Sequence, residues 1–372
     1  MDKDELYIGV MSGTSMDGVD TAIVRIREAK AELLFHDFYP LDETLKQELL
    51  TVCLGQETTL RQVGRLDHHL GHLFADAVIG LLNKSPYKAE DIVAIGNHGQ
   101  TVFHQPYGSE AFTMQLGDAN IIAAKTGITT VADFRRKDMA LGGQGAPLVP
   151  AFHHSVFEPS DSTIVVLNIG GISNISVMIP GEPTLGYDTG PGNMLMDAWI
   201  NKVQGKKYDD SGNFARSGKV NASLLSSLCS DDYFSLTPPK STGREKFNLP
   251  WLINHLDTFG SEPDAADVQA TLTEFTVRTI CDEVEKFKQG PNPELMVCGG
   301  GASNRFLMDK LKQQLPDWQV CTTTDKGVDS DYMEAIAFAW LAQRRIHNLP
   351  SNLPEVTGAE KAASLGVIYP AD

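Results

Sequence analysis

The order of apolar and polar residues predicts a meander of strands at the start of the chain, followed by a long helix. Strand-like apolar runs cover residues 6–10, 21–26 and 32–38. Between about residues 60 and 82, apolar positions recur every three or four residues, which is typical of one buried helix face. These positions are Val63, Leu66, Leu70, Leu73 and Ala77. The next segments predict a strand, a short helix and a strand, at residues 92–96, 119–125 and 128–134.

The second half of the chain repeats this order. Apolar runs at 164–167 and 175–179 flank a glycine-containing turn, as the first two strands do. The two hairpins share little sequence, so they indicate an architectural repeat, with two unrelated hairpins as the alternative. Helical periodicity then covers residues 193–203, 222–229, 265–287, 305–314 and 331–346. The pattern predicts an α/β fold with a mixed sheet in each half. We place one domain at residues 1–135 and the other at 136–372, leaving open that the last segment packs back on the first domain.

Composition and charge narrow the functional class. A chain of 372 residues, 42% hydrophobic and 21% charged, is typical of a globular protein of two domains. The formal net charge of −17 argues against non-specific nucleic-acid binding and against attraction to anionic membranes. Five cysteines without a C-x-x-C pair are typical of reduced thiols. The first five residues are not typical of a signal peptide, and no apolar stretch is long enough to cross a bilayer, so we expect a cytoplasmic protein.

Three glycine-rich turns follow apolar runs and are candidate phosphate-binding elements. They read MSGTSMDG at 11–18, NIGGISN at 168–174 and CGGGASN at 298–304. Glycine lets backbone N–H groups approach an anion closely, and Ser and Thr hydroxyls add donors. The P-loop, dinucleotide-binding and nucleophile-elbow motifs are absent from the sequence. The turns therefore predict a nucleotide held between two related halves, with candidate contacts at Asn168, Gly170, Gly171, Gly300 and Gly301.

The segment GYDTGPGN at 186–193 is the best candidate for catalysis. Asp188 is expected at the end of a strand, beside the glycine-rich start of a helix. There a carboxylate could face a sugar hydroxyl or water, while Gly190 and Gly192 face an incoming phosphate. The alternative is that Asp188 only caps the turn.

Two further strand ends carry polar side chains suited to a sugar. His98 and Gln100 in the NHGQT segment supply hydrogen bonds for polyol recognition, with a polar hairpin turn as the alternative. Arg135 follows Asp133 and could bind an acidic sugar substituent through two parallel hydrogen bonds. The equal alternative is an Asp–Arg pair that holds the hinge, in which case Glu334 or His98 would be the better candidate for specificity.

Eight motifs together resemble one family, the anhydro-N-acetylmuramic acid kinases, within the superfamily of actin, heat-shock chaperones and sugar kinases. They run nearly from end to end of the chain: GVMSGTSMDGVD, GNHGQT, VADFRRKDMALGGQGAPLVPAFH, LNIGGISN, DTGPGNMLMDAW, KSTGREKFNLPW, CGGGASN and MEAIAFAWLA. The resemblance implies two actin-like (ribonuclease H-like) domains with mixed sheets flanking a nucleotide cleft. It also implies ATP and Mg²⁺ as cofactors, an amino-sugar substrate, a homodimer and a role in cell-wall recycling.

The implied reaction converts 1,6-anhydro-N-acetylmuramic acid, ATP and water into N-acetylmuramic acid 6-phosphate and ADP. The resemblance makes Asp188 the catalytic base and the stretch from 12 to 20 the ATP-binding element. That stretch comprises Ser12, Gly13, Thr14, Ser15, Met16, Asp17, Gly18, Val19 and Asp20.

The chain departs from the wider superfamily in one respect. Most members carry Asp ahead of the first phosphate turn, where this chain has Met11, and the second turn has Asn168. Mg²⁺ is therefore assigned to Asp17 or Asp20. The competing functions are an ordinary sugar hydroxyl kinase and an ATP-gated binding module.

Overall fold

The computed structural model describes residues 4–13, 16–27, 30–238, 240–244, 246–258 and 263–372. Its N-terminal part opens with the expected meander of three antiparallel strands. The elements up to residue 156 are, in order, β1 (Glu5–Ser12), β2 (Gly18–Arg27), β3 (Lys30–Pro40), α1 (Glu43–Cys53), α2 (Leu60–Lys84), β4 (Ile92–Gln105), β5 (Phe112–Leu116), α3 (Ala119–Thr126), β6 (Thr130–Ala132), α4 (Phe134–Ala140) and α5 (Val149–Val156).

The middle of the chain begins with a second antiparallel meander. Its elements are β7 (Ile164–Ile169), β8 (Ile172–Met178), β9 (Leu185–Pro191), α6 (Met194–Gln204), α7 (Asn213–Ser217), α8 (Ala222–Cys229), α9 (Leu249–Asp257), α10 (Ala265–Val284), β10 (Glu294–Cys298), α11 (Arg305–Gln314) and β11 (Gln319–Thr322). The chain ends with α12 (Met333–Ile346), α13 (Pro354–Thr357) and β12 (Val367–Tyr369).

The long helix α2 confirms the predicted periodicity. Its buried face includes Leu66, Leu70 and Leu81, and these side chains pack in the core of the N-terminal sheet. Thr59 begins the helix with a capping box, in which its hydroxyl accepts the Gln62 N–H while the Gln62 side chain accepts the Thr59 N–H. The cap satisfies two backbone donors that would otherwise lack partners in the first turn.

The two sheets share one strand order, which confirms the α/β fold with two mixed sheets. The first runs β12-β6-β4-β1-β2-β3, with β5 paired to β4, and the second runs β11-β10-β7-β8-β9. In each sheet the meander strands are antiparallel. The next core strand (β4 or β10) pairs in parallel with the first meander strand, and the one after it (β6 or β11) pairs in parallel with that strand. The repeat is therefore architectural, as expected for two actin-like domains.

The chain forms two compact units, Met1–Val156 with Tyr332–Asp372 as unit 1, and Phe157–Asp331 as unit 2. The sequence-based boundary at 135/136 falls inside unit 1, within α4. Two contacts in unit 1 account for the difference. Phe152 of α5 packs on Trp340 of α12 at a ring-centroid distance of 5.9 Å, and β12 pairs with β6.

Helix α12 approaches the sheet of unit 1 at two glycines. A Cβ built on Gly9 of β1 would lie 1.7 Å from the Ala335 carbonyl oxygen, and one built on Gly96 of β4 would lie 2.0 Å from that of Phe338. Only glycine permits helix and strand backbones to come so close. This contact fixes α12, whose first turn carries Glu334, against the strands that carry Ser12 and His98.

Two predicted strand ends were wrong. The strand expected to stop at Gly96 continues to Gln105, because β4 pairs first with β1 and then with β5. The strand expected at 128–134 is limited to Thr130–Ala132, and Phe134 instead begins α4, where its buried ring packs on Phe338 at 5.5 Å. In both cases tertiary packing overrides the local pattern.

The described residues also bear on membrane-spanning helices and on disulfides. No helix among them is both long enough and apolar enough to cross a membrane. None of the five cysteines takes part in a disulfide.

Candidate active site

The first glycine turn joins β1 to β2 in unit 1. The Ser12 hydroxyl donates to Gln100 Oε1 at 2.7 Å, and Gln100 Nε2 donates to the Gly13 carbonyl at 3.4 Å. Strand β4 therefore holds the start of the turn. Thr14 and Ser15, both predicted to contact ATP, lie outside the described residues.

The rest of this stretch is anchored by apolar side chains. Met16 has a φ of 54° and is buried, as is Val19. A Cβ on Gly18 would meet the Phe38 ring at 2.3 Å. Core packing of Met16, Gly18 and Val19 therefore shapes the turn. Only the backbone groups of these residues are available to contact a nucleotide.

The second and third turns lie together in unit 2, because β7 and β10 are adjacent parallel strands. A Cβ on Gly299 would lie 2.3 Å from Asn168 Oδ1, and one on Gly301 would lie 2.3 Å from Ile169 Cγ2. Gly300 is more open, with Asn193 Nδ2 as its nearest neighbour at 3.9 Å. The structure thus brings Asn168 and the Gly300–Gly301 pair to one edge of the sheet.

The glycine-rich segment after Asp188 packs tightly on the second turn. The N–H groups of Gly192 and Asn193 donate to the carbonyls of Gly171 and Gly170, both at 2.8 Å. A Cβ on Gly192 would lie only 2.4 Å from the Gly170 oxygen. The Gly192 N–H is used inside the protein, so a direct bond from it to phosphate would require this contact to open.

Asp188 lies inside β9, not at the end of the strand where we expected it. Strand β9 runs on to Pro191, because Asp188 and Gly190 pair with Asn174 and Ser173 of β8. Asp188 Oδ2 accepts the Thr242 N–H at 3.0 Å, and the Asp188 N–H donates to the Lys240 carbonyl at 3.1 Å. A loop more than fifty residues away in sequence therefore holds the carboxylate, which reasoning from local patterns did not predict.

Arg135 and His98 form a hydrogen-bonded pair in unit 1. Arg135 Nε and Nη2 lie 3.2 and 2.9 Å from His98 Nε2, and Nη1 donates to the Gly145 carbonyl at 2.8 Å. Burial, aided by the Arg135 charge, lowers the pKa of His98 to about 3, so this imidazole is neutral at pH 7. Because a guanidinium only donates, Nε2 accepts and Nδ1 carries the proton.

The Arg135 side chain is half-buried in unit 1. Burial lowers the pKa of Arg135 from its ordinary value to about 10, so it stays charged at pH 7. Asp133 pairs with Arg136 at 2.6 Å instead, which excludes an Asp133–Arg135 pair in this conformation. No carboxylate of the described residues lies within ion-pair distance of Arg135, although Glu334 and Asp138 exert a longer-range attraction. A cation in this environment is suited to an anionic ligand.

Glu334 and Asp138 occupy different settings near Arg135. Burial raises the pKa of Glu334, and the Arg135 charge opposes that rise. Asp138 is fully buried and accepts hydrogen bonds from Asn352, Thr357 and the Gly145 N–H, at 2.8, 2.8 and 2.9 Å. Asp138 therefore fixes the loop whose Gly145 carbonyl binds Arg135. No local sequence pattern indicates this role, since the partners of Asp138 lie as far along the chain as residue 357.

Comparison with known proteins decides the family. The family model described as "Anhydro-N-acetylmuramic acid kinase" matches residues 5–371. The chain belongs to the anhydro-N-acetylmuramic acid kinase family. Proteins of that printed name are 64% identical over 369 residues in Vibrio cholerae, covering 99% of each chain, and 55% identical over 364 residues in Pasteurella multocida, covering 98% of this chain and 96% of the relative.

Solved structures show a looser likeness. Component A of the (R)-2-hydroxyglutaryl-CoA dehydratase of Acidaminococcus fermentans is 12% identical with a TM-score of 0.47, covering 90% of this chain and 96% of that one. A ROK-family glucokinase of Streptomyces griseus is also 12% identical, with a TM-score of 0.39, covering 91% and 99%. As a member of the anhydro-N-acetylmuramic acid kinase family, the chain is an ATP-dependent sugar kinase.

The two carboxylates assigned to Mg²⁺ in this kinase differ in their surroundings. Asp17 is exposed, and its Oδ1 binds Lys46 Nζ at 2.8 Å. Asp20 is half-buried in β2, opposite Met11 of β1. Proteins often bind Mg²⁺ through one or two carboxylates together with substrate phosphates. Asp20 follows the first turn directly on β2 and is suited to that role. The described residues hold no cluster of three or more acidic, His or Cys side chains suited to a metal.

Proposed function

We propose that this kinase opens 1,6-anhydro-N-acetylmuramic acid with water and phosphorylates O6, with Asp188 as the base. The observation that carries the proposal is the position of the Asp188 carboxylate, which accepts a backbone N–H through Oδ2 on a strand paired with Asn174 at the end of the second glycine turn. A positioned carboxylate of this kind can take a proton in the transition state.

The reaction balances with one base. Asp188 takes a proton from water as the water oxygen attacks C1 of the sugar. The C1–O6 bond breaks and its electron pair goes to O6, which then attacks the γ-phosphorus of ATP. The bond between the γ-phosphorus and the β–γ bridging oxygen breaks, ADP leaves, and the γ-phosphoryl group remains on O6.

The sugar is recognised by the residues around Arg135. The charged guanidinium binds the lactyl carboxylate of the muramic acid, where desolvation strengthens the attraction. The two Arg135–His98 bonds and the Gly145 carbonyl hold the guanidinium plane. His98, Gln100, Asp133 and Glu334 remain the proposed sugar contacts of unit 1.

The nucleotide is assigned to the three glycine turns. The backbones of residues 12–20, Gly170, Gly171, Gly190, Gly192, Gly300 and Gly301, with the Asn168 amide, are the proposed ATP contacts. Mg²⁺ held by Asp20 would neutralise charge on the transferred phosphoryl group. Turn N–H groups stabilise the same charge where it develops.

The test of this proposal is an Asp188→Asn variant, which keeps the shape of the side chain and removes its basicity. We expect kcat to fall by at least about 10³-fold, since a positioned base contributes roughly 10²–10⁴-fold and more when it also orients the nucleophile. Mass spectrometry should show the ring-opened and phosphorylated products lost together, with the ATP KM and the melting temperature nearly unchanged. A lower melting temperature with modest loss of rate would instead indicate a structural cap.

A substrate panel separates this activity from that of an ordinary sugar hydroxyl kinase. We expect the 1,6-anhydro sugar to be turned over and the corresponding open sugar to be a poor substrate. Equal rates on the two would contradict the ring-opening step. ATP hydrolysis at a comparable rate without any sugar would favour an ATP-gated binding module.

We also propose a homodimer in the cytoplasm, on the basis of the family resemblance and the absence of disulfides among the five cysteines. Light scattering coupled to size-exclusion chromatography tests the assembly. A mass of about 81 kDa is expected, twice the 40.5 kDa of the chain, and a mass of one chain would contradict the dimer.

A further inference from the structure

A buried ion pair lies next to the strand that carries Asp188. Lys240 Nζ and Glu283 Oε1 are 2.7 Å apart, and their side chains are only 2% and 5% exposed. Glu283 Oε2 also accepts the Tyr187 hydroxyl at 3.0 Å and the Lys286 ammonium at 2.7 Å. One carboxylate of α10 thus binds the residue before Asp188 and a residue of the loop that holds it.

The residues around this ion pair also contact Asp188 directly. Lys240 accepts the Asp188 N–H through its carbonyl, and Thr242, two residues later, donates its N–H to the carboxylate. The Tyr233 hydroxyl donates to the Asp188 carbonyl at 2.7 Å, and its ring lies 5.1 Å from Lys240 Nζ. The base is therefore held through its N–H, its carbonyl and its side chain. Lys240 accepts the first of these bonds, its side chain lies next to the Tyr233 ring of the second, and it is two residues from Thr242 of the third.

The Glu283 carboxylate is ionised near neutral pH. Burial alone would raise the pKa of Glu283, but the hydrogen bonds from Lys240 and Lys286 bring it below its ordinary value. For such a pair the cost of desolvation nearly cancels the attraction, so an apolar pair of the same volume would stabilise the fold as well or better. What the ion pair supplies is a fixed geometry.

We propose that Lys240 and Glu283 are positioning residues for the base, holding the 240–244 loop so that the Thr242 N–H orients the Asp188 carboxylate towards its proton. This inference rests on the proposed function, in which Asp188 is the base. Orientation has large kinetic effects, because a displacement of about 1 Å at a reacting group can cost about 10²-fold in rate. The pair acts on the chemical step and leaves substrate binding to other residues.

The decisive variant is Lys240→Met, which retains the backbone carbonyl and most of the side-chain volume. We expect kcat to fall about 10- to 100-fold while KM for ATP and for the sugar stays within about twofold. The matched control is Lys286→Met, which removes the half-exposed cation from the same carboxylate. Its kcat should change less than about twofold, because solvent replaces an exposed partner at little cost.

Two further measurements separate positioning from stability. Amide exchange in a peptide covering the 240–244 loop should become faster in Lys240→Met and stay unchanged in Lys286→Met. The double variant Lys240→Met/Glu283→Met removes the uncompensated charge, so its melting temperature should recover while kcat stays low. Recovery of kcat together with the melting temperature would overturn the proposal, as would a normal kcat in folded Lys240→Met.

A second variant tests the same proposal if Lys240→Met folds poorly. Glu283→Gln keeps the size of the side chain and should show the same loss of kcat, and a normal kcat there would also overturn the proposal. The Asp188→Asn result keeps the two proposals apart. Loss of activity in Asp188→Asn with full activity in Lys240→Met contradicts only the positioning role, whereas full activity in Asp188→Asn contradicts the assignment of the base.

Discussion

Among the described residues, the hydrogen-bond partners of the Arg135 guanidinium are all neutral. Arg135 donates to an uncharged His98 and to the Gly145 carbonyl, while the neighbouring Arg136 takes the Asp133 carboxylate. The charge of Arg135 is therefore uncompensated at hydrogen-bonding range. Two adjacent arginines in the sequence have opposite surroundings in the fold, which makes each a control for the other.

An Arg135→Ala variant should discriminate between muramic and non-muramic sugars. Because a charge-assisted bond is lost, kcat/KM for 1,6-anhydro-N-acetylmuramic acid should fall by an amount equivalent to about 1.5–3 kcal/mol of transition-state stabilisation. Anhydro-N-acetylglucosamine, which lacks the lactyl group, should be far less affected. Arg136→Ala removes an exposed guanidinium and should not discriminate between the two sugars. Equal losses on the two sugars in Arg135→Ala would mean that the residue only supports the fold.

The two carboxylates of the first turn should respond differently to loss of charge. We expect Asp20→Asn to raise the Mg²⁺ concentration needed for half-maximal rate by about tenfold or more, since Mg²⁺ sites of this kind depend on one or two carboxylates. Asp17→Asn should leave that concentration within about twofold, because Asp17 is engaged with Lys46. A titration of rate against Mg²⁺ measures both. The reverse order of effects would assign the metal to Asp17.

At the scale of elements, periodicity predicts α2 and the two meanders because their contacts are local. Periodicity does not predict elements whose ends depend on contacts with distant parts of the chain. The strand β4 continues past Gly96 because Gly99, with a φ of 76°, allows it to move from pairing with β1 to pairing with β5. No local pattern indicates that the 240–244 loop holds Asp188, because the bond from Thr242 to Asp188 spans 54 residues. The candidate residues could be found from the sequence, but the partners that orient them could not.

The contact between β4 and α12 provides a test at this scale. A methyl group on Gly96 would meet the Phe338 carbonyl at 2.0 Å, and neither backbone can yield without moving the element. We expect Gly96→Ala to lower the free energy of unfolding by about 1–3 kcal/mol, the usual cost of overpacking. Gly80→Ala in α2, where nothing lies within 4 Å, should stabilise by about 0.5–1 kcal/mol. Urea unfolding measures both, and a neutral Gly96→Ala would show that α12 can shift freely on the sheet.

At the scale of the whole molecule, two units with one strand order carry unlike chemistry. Unit 1 contains Arg135 and most of the histidines, whereas unit 2 contains Asp188, the second and third glycine turns and only one histidine, His255. The net charge of −17 does not decide nucleotide binding, because backbone N–H groups at the turns act at close range. The uneven distribution of histidines does have a consequence for stability.

Unit 1 should be the acid-sensitive part of the molecule. His98 and His153 are 7% and 2% exposed, and burial lowers the pKa of each to about 3. In the unfolded chain an imidazole has a pKa of about 6.5. As the pH falls below that value the unfolded chain binds protons that the folded chain does not. Their stabilising contribution is thus complete above about pH 6.5 and is lost as the pH falls towards 3.

The expected loss is about 2 kcal/mol for each of the two histidines between pH 7 and pH 5, as an upper bound. Amide exchange, corrected for the intrinsic effect of pH, should show protection falling in unit 1 and largely kept in unit 2. A His153→Leu variant should lose about half of this pH dependence, whereas His72→Gln, at an exposed position, should keep it. An equal loss of amide-exchange protection in both units would contradict this assignment and would attribute the acid sensitivity to carboxylates, which both units contain.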